Sequence, residues 1–266
     1  MRISESMLGR LKMATRKTSW PGIVMALAIW EIAPRIELVP SSFLPPASNV
    51  LADFVSMLLT APFWNDVQST MLAWAVGLLI AVVAAVAAGI LIGSNVYAYS
   101  ASRFLIEFLR PIPAVALIPL AVLIFGITTD MKVFLVVFAT FWPILFQTVY
   151  GVRETDSVAR DTARSFGFTR AEVFWHVTLP SAAPSIATGV RLASALAIVI
   201  AVTAELIAGG PGLGTAILAA QSAASSVRMY ALIFAAGLLS YITGSIIVAV
   251  ERRLLRWHPS HREAAA

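Results

Sequence analysis

The sequence predicts an all-α polytopic membrane protein with six transmembrane helices. Three observations lead there. Of 266 residues, 59% are hydrophobic and only 12% charged, with a mean hydropathy of +0.85. An average soluble domain is about 45–50% apolar and about 25% charged, so this chain lacks the charge to coat a soluble surface. Apolar runs recur along it with the length of a bilayer crossing, about 20 residues, and the basic residues gather on one side of those runs. The composition excludes an ordinary cytosolic enzyme, a disordered chain and a disulfide-stapled secreted domain. Cysteine is absent, which removes disulfides, thiol catalysis and cysteine metal sites. The net charge of +5 does not point to nucleic acid, because in a membrane protein the placement of charge is what counts.

The elements follow in order. Residues 1–19 carry Arg2, Arg10, Lys12, Arg16 and Lys17 and form a basic N-terminal segment. The apolar run from Pro21 to Ala33 is then the first span, ending near Ile36. A secretory signal is the competing reading, but Trp30 and Glu31 stand where a cleavage site needs small residues. Residues 20–66 thus comprise the first helix and an outer loop. The core is 67–251, with further spans at Met71 to Ile92, Pro111 to Ile127, Met131 to Val152, Leu192 to Ala208 and Tyr230 to Val250. The third contains Pro111, Pro113 and Pro119, tolerated in lipid where neighbours satisfy the freed backbone groups. Residues 252–266 form a basic tail with Arg252, Arg253 and Arg256. With both termini cytoplasmic, only Arg35, Lys132 and Arg228 of the 19 basic residues fall outside, as the positive-inside rule requires.

The longest polar stretch, about residues 153–185, reads as two short helices. Thr155 caps the first, with Asp156 near its positive end. Val158, Thr162, Ala163 and Phe166 share one face, with Arg160, Asp161 and Arg164 toward the other. Gly167 sits where a left-handed residue ends that helix. Thr169 and Glu172 form a capping-box pattern for the second, whose apolar side is Ala171, Phe174, Trp175 and Thr178. Pro180 and Pro184 are expected to stop it. Spacing alone leaves two readings open: an amphipathic hairpin in the headgroup layer, or a docking element whose exposed apolar residues are covered by a cytosolic partner.

The segment Asp161-Thr162-Ala163, three residues, Gly167, nine residues, Val177-x-Leu179-Pro180 resembles the EAA loop of bacterial ABC importer permeases. That pattern is Glu-Ala-Ala, three residues, Gly, nine residues, Ile-x-Leu-Pro. Asp161 is one methylene shorter than the Glu; Thr162 and Val177 keep the shape approximately. Val39-Pro-Ser-Ser-Phe-Leu-Pro-Pro46, Leu109-Arg-Pro-Ile-Pro113 with Ala116-Leu-Ile-Pro-Leu120, and Phe141-Trp-Pro-Ile-Leu145 resemble the nitrate/sulfonate/taurine subfamily, so the likeness covers most of the chain. The resemblance implies a type I ABC importer permease fold in a bacterial inner membrane. It implies a homodimer, two cytosolic ATPase subunits that bind ATP and Mg, and a periplasmic binding protein delivering a small anion such as taurine, an aliphatic sulfonate or nitrate. By the same resemblance the first loop helix is a coupling helix, with Ala163 packing closely and Gly167 permitting the turn.

The residues add their own weight. A phosphate-cradling P-loop ends Gly-Lys-Ser/Thr, yet the three lysines, Lys12, Lys17 and Lys132, follow Leu11, Arg16 and Met131. The chain is therefore expected to be a transport subunit, not an enzyme, with no cofactor of its own. Gly209-Gly-Pro-Gly-Leu-Gly214 reads as a tight turn at a span's end that can re-enter the membrane. Glu205, near the outer end of the fifth span, is an expensive intramembrane carboxylate. Arg191 is too far along the helix to pair with it, so Arg228 or a second subunit is the expected partner, in a structural role, a gating or pathway role, or direct substrate binding, for which an acid suits an anion poorly. Glu31 reads as structural. Trp142 and Gln147 in the fourth span are candidates to line a pathway, although aromatic belts and interhelical hydrogen bonds explain them equally. His176, His258 and His261 lack metal-ligand spacing. Two rivals stand beside the importer: an ATP-independent secondary transporter, which should show repeated halves and broken helices at the midplane, and a membrane scaffold whose hairpin recruits a cytosolic protein. No internal repeat is visible.

Overall fold

The computed structural model describes residues 19–109 and 111–255. The basic segment up to Thr18, Arg110, and the tail from Arg256, with His258 and His261, lie outside the described residues. Every regular element among those described is helical.

Helix α1, Ser19–Arg35, is apolar and ends in Arg35. Its end is tied to α2, Ala47–Met57: Glu31 accepts from the Ser48 backbone N–H and hydroxyl at 2.9 Å each and pairs with Arg35. Trp30 Nε1 donates to the Pro45 carbonyl at 3.1 Å. Helix α3, Ala61–Ser94, is 34 residues long, about 51 Å at the α-helical rise. Then come α4, Val96–Leu109, a 3-10 turn at Ala114–Leu117 and α5, Ile118–Phe125. Helix α6 spans Thr129–Arg153. The two loop helices are α7, Ser157–Ser165, and α8, Arg170–Val173. A π turn at Phe174–Thr178 leads into α9, Leu179–Ala208. The short α10, Leu213–Ser222, and the long α11, Ser226–Leu254, complete the chain.

Among the described residues four helical stretches are long and apolar enough to cross a bilayer: α3, α6, the continuous Arg170–Ala208 stretch and α11. Helix α4 and the Ala114–Phe125 arm, bent by 76°, make a fifth if counted together. Helix α1 has 17 described residues, about 26 Å against a hydrocarbon core of about 30 Å. Six spans are compatible with this arrangement; length and composition alone give four or five.

Three expectations need correction. Pro111 to Ile127 is not one continuous span. Proline lacks the N–H that carries a helix forward, so the chain breaks after Leu109 and restarts as the 3-10 turn, with Pro119 accepted in the first turn of α5. Gly126, at φ +68°, ends that arm. Second, Pro180 and Pro184 do not stop the second loop helix, which runs on into α9, so the fifth span starts well before Leu192. The π turn makes this possible: Leu179 N–H reaches the Phe174 carbonyl five residues back, and the wider turn gives the Pro180 ring room against the preceding carbonyls. Third, the cap of α7 is Asp156, whose carboxylate accepts from the Val158 N–H at 2.8 Å; Thr155 is buried and donates back to the Gly151 carbonyl.

Helix α6 lies between α3 and α9 and packs extensively on both. Gly77, Ala81, Ala85 and Gly89 recur at every fourth position of α3 and are all buried, so they form one small-residue stripe that lets two backbones approach. A Cβ on Gly89 would stand 2.6 Å from Thr148 Cβ, and one on Gly77 2.6 Å from Val136 Cγ1. The opposite faces carry exposed Leu79, Leu91 and Leu123. Water would penalise such a surface; hydrocarbon does not.

Replacing Gly89 with Val should force α3 off α6 and cost about 1–3 kcal/mol, as overpacking does. Thermal unfolding in detergent should show a lower midpoint for Gly89→Val, whereas Gly237→Ala, with nothing within 4 Å of its Cβ, should melt like the parent.

Candidate functional site

Three features stand out, and they occupy different levels of the helical stack. The first is the helix pair at the Arg153 end of α6. Gly167, at φ +86°, turns the chain between α7 and α8. Phe168 N–H donates to the Ala163 carbonyl at 3.1 Å and Gly167 N–H to Arg164 at 2.9 Å, the reciprocal pair of a Schellman cap. Thr169 and Glu172 complete a capping box. Phe168 stacks on the His176 ring with centroids 6.2 Å apart, folding the elbow back onto the second helix.

The loop residues named from the sequence are distributed unevenly. Ala163 is buried, whereas Asp161, Thr162 and Gly167 are exposed; Val177, Leu179 and Pro180 are half-buried where the π turn meets α9. Of the expected apolar face of α7, Phe166 is 81% exposed and Val158 is exposed too. On the second helix it is Val173 and Thr178 that are buried, while Trp175 faces outward. The Asp161–Arg164 pair at 3.3 Å is also exposed. The pair therefore presents Val158, Phe166 and Trp175 together with charge, and none of the described residues covers them.

The second feature is a cavity of about 970 Å³ bordered by α4, α6 and α9. Trp142 and Gln147 both line it, with Phe138, Leu196 and Ile200 around them. At its mouth Arg103 pairs with Glu107 at 2.8 Å, and the Arg153 guanidinium sits 3.9 Å above the Tyr99 ring. Glu154 lies there as well.

The third feature is at the opposite end of α6. Glu205 is 0% exposed and pairs with Lys132, 1% exposed, at 3.0 Å. The ammonium has three acceptors for its three protons: Glu205 Oε1 at 3.0 Å, Ser69 Oγ at 2.8 Å and the Pro211 carbonyl at 2.8 Å. The carboxylate also accepts from Thr70 Oγ1 and the Gly214 N–H at 3.0 Å each. Thr70 in turn accepts from the Leu213 N–H at 3.1 Å. The Gly209–Gly214 turn wraps this pair, with φ of +83° at Gly209 and +91° at Gly210, and a Cβ on Gly212 would fall on the Glu205 carboxylate.

Lys132, counted from the sequence as a charge on the outer side, is buried at the start of α6. Arg228 does not reach Glu205 either; it pairs with Asp53 at 3.4 Å. Sequence reasoning missed Lys132 as the partner, although a lone lysine opening an apolar helix is a group that must find an acid in lipid. Glu205 is not among the residues that line the cavity, so Trp142 and Gln147 belong to one place and Glu205 to another.

Residues 81–256 match the model of a family described as binding-protein-dependent transport system inner membrane component. The chain is 30% identical over 241 residues to the taurine transport system permease protein TauC of Escherichia coli strain K12, covering 89% of this chain and 88% of that protein. A putative aliphatic sulfonates transport permease protein, SsuC of Bacillus subtilis strain 168, is 27% identical over 88% of this chain and 85% of its own length. The nitrate import permease protein NrtB of Leptolyngbya laminosa is 29% identical, covering 73% of this chain and 69% of that protein. Among solved structures, a bacterial ABC transporter involved in importing the acidic polysaccharide alginate aligns with a TM-score of 0.61 at 14% identity, over 94% of both chains. An inward-facing MetNI methionine ABC transporter aligns at 0.59 and 17% identity, over 71% of this chain and 93% of that one. These two share the fold.

Breaking the buried pair from one side leaves a charge without a partner. Lys132→Met alone should cost about 3–5 kcal/mol, and Lys132→Met with Glu205→Gln together less than the single change. Thermal unfolding of the three proteins in detergent checks this; equal midpoints for parent and single variant would remove the clasp from the account.

Proposed function

The chain belongs to the family of binding-protein-dependent transport system inner membrane components, and from that premise we propose that it is the membrane permease subunit of an ABC importer, forming with a second copy the path for a small anion. A periplasmic binding protein delivers the anion to the face that carries the glycine turn. Two cytosolic ATPase subunits, holding ATP and Mg, dock on the α7–α8 pair. Both termini lie on that cytoplasmic side.

The observation that carries this reading is the uncovered loop pair. The Asp161-Thr162-Ala163, Gly167, Val177-x-Leu179-Pro180 spacing coincides with a capped helix pair whose Val158, Phe166 and Trp175 face outward. In a lone membrane protein such residues would lie in water or headgroups; against an ATPase groove they are buried. Because the π turn joins α8 to α9 without a break, a push that reaches α8 acts on a spanning helix directly. ATP-driven closure of the ATPases would then switch the path as a rigid-body change between two packings. The substrate class is drawn from the relatives, whose names mention taurine, aliphatic sulfonates and nitrate.

The test is co-purification and uptake. Gly167→Val places a β-branched residue at a positive φ that it resists, so the elbow should distort. The variant should lose most of its bound ATPase and of its ATP-driven uptake of taurine, aliphatic sulfonate or nitrate. Parent levels of co-purified ATPase would contradict the docking role, and uptake surviving mutation of the ATPase P-loop lysine would favour a secondary transporter.

A further inference from the structure

The cavity wall carries a polar side chain that the fold leaves both reachable and unused. Gln147 is half-buried on α6 and borders the cavity. Its carboxamide makes no hydrogen bond among the described residues, and it is not closed off: the described side-chain atoms that are buried without a partner belong to Asp53, Trp142, Ser194 and Glu251. The Trp142 indole N–H is thus sealed within the packing, whereas the Gln147 amide is open to what fills the space beside it.

The root of the Gln147 side chain is fixed. Gly189 brings the α9 backbone against it, so that a Cβ on Gly189 would stand 2.9 Å from Gln147 Cβ and 3.1 Å from Ile144 Cα. Gln147 lies six residues in from Arg153, the last residue of α6, or about 9 Å along the axis. Farther in, the lining side chains of α6 are apolar apart from the sealed indole, and Leu192, Leu196 and Ile200 make the α9 side. The charged groups Arg103, Glu107, Arg153 and Glu154 stand at the mouth and balance in sign. Gln147 is therefore the innermost reachable polar side chain that α6 gives to the cavity.

A carboxamide with no partner in apolar surroundings is costly, so water or a solute must serve it. Its NH2 group offers two protons, and a small oxyanion presents several acceptor oxygens close together. Because the charges at the mouth cancel, net charge does not choose the solute, and the choice falls to placed hydrogen-bonding groups. Mostly apolar pockets orient a ligand through a few such groups.

We propose that the Gln147 carboxamide is a specificity-determining group of the transport path, its NH2 donating to an oxygen of the transported oxyanion at the α6–α9 seam. This rests on the importer reading above. The solute displaces water from the amide as it passes, so solutes that bear an acceptor oxygen are favoured over those that lack one.

The experiment uses the full complex of permease, ATPases and binding protein in proteoliposomes, with ATP on the side of the ATPases. Uptake of labelled taurine, methanesulfonate and nitrate is measured at saturating binding protein, beside the amount of ATPase that co-purifies with the permease. Gln147→Met keeps the length and removes the donors; Gln147→Glu keeps the shape and replaces the donors with a negative charge. Loss of a hydrogen bond to a charged group corresponds to roughly tenfold or more. Gln147→Met should lower the uptake rate by about that factor, and Gln147→Glu by at least as much, with co-purified ATPase at the parent level in both. Parent rates in Gln147→Met overturn the proposal and leave the importer reading standing. Parent rates in Gln147→Glu alone make shape the requirement and overturn it too, as does loss of assembly in both variants, which makes Gln147 a packing residue. A parent complex that imports none of the three anions overturns the importer reading for these solutes and the proposal with it.

Discussion

Lys132 and Glu205 sit 3.0 Å apart with almost no exposure, and the end of the structure where α6 begins is built around that contact. Each charge is at the wrong end of its own helix. Lys132 is in the first turn of α6, where the macrodipole is positive, and Glu205 is in the last turn of α9, where it is negative. Within a bilayer neither can be left alone. The carboxylate recovers favourable dipoles from the N-terminus of α10 through Gly214 N–H, and the ammonium takes Ser69 of α3 and the Pro211 carbonyl. One ion pair thereby fixes α3, α6, α9 and the glycine turn before α10. The turn needs glycine because the carboxylate occupies the space a Cβ would take at Gly212.

The two ends of the stack differ as a consequence. Near the clasp the helices are locked by satisfied polar groups. Below it, α3 and α6 touch along the Gly77–Gly89 stripe, while the prolines at 111 and 113 break the chain and swing α4 away by 76°. That bend leaves the cavity in which Trp142 and Gln147 lie. At the far end α8 runs through the π turn into α9 without a break, and α7 joins it across the Gly167 elbow.

Local chemistry made part of this legible in the sequence. Gly167 and the Thr169–Glu172 box are short-range signals, and both ends of the elbow formed where they pointed. The positions of α3, α6 and α11 followed from apolar length. What stayed hidden depends on groups far apart in the chain. Lys132 and Glu205 are 73 residues apart, so no window on the sequence joins them, and positive-inside counting treated the lysine only as a charge on the outer side. Pro180 read as a stop because proline usually is one; the π turn that accommodates it depends on the Leu179–Phe174 bond and is invisible to periodicity. The bend after Leu109 was hidden for a related reason, since prolines in a long apolar run are tolerated in lipid and do not say which way the chain turns. The unpaired Trp142 N–H is a property of what surrounds it, and composition carries no trace of that.

The central claim is that the α7–α8 pair is where an ATPase docks. The chain has no cysteine, so a single introduced thiol is the one reactive site on it. Phe166→Cys, carrying a short photo-activated cross-linker, should give one permease–ATPase adduct in the assembled complex. Phe43→Cys, at an exposed position near the opposite end of the stack, should give none. An adduct at Phe43 with none at Phe166 would contradict both the docking surface and the sidedness.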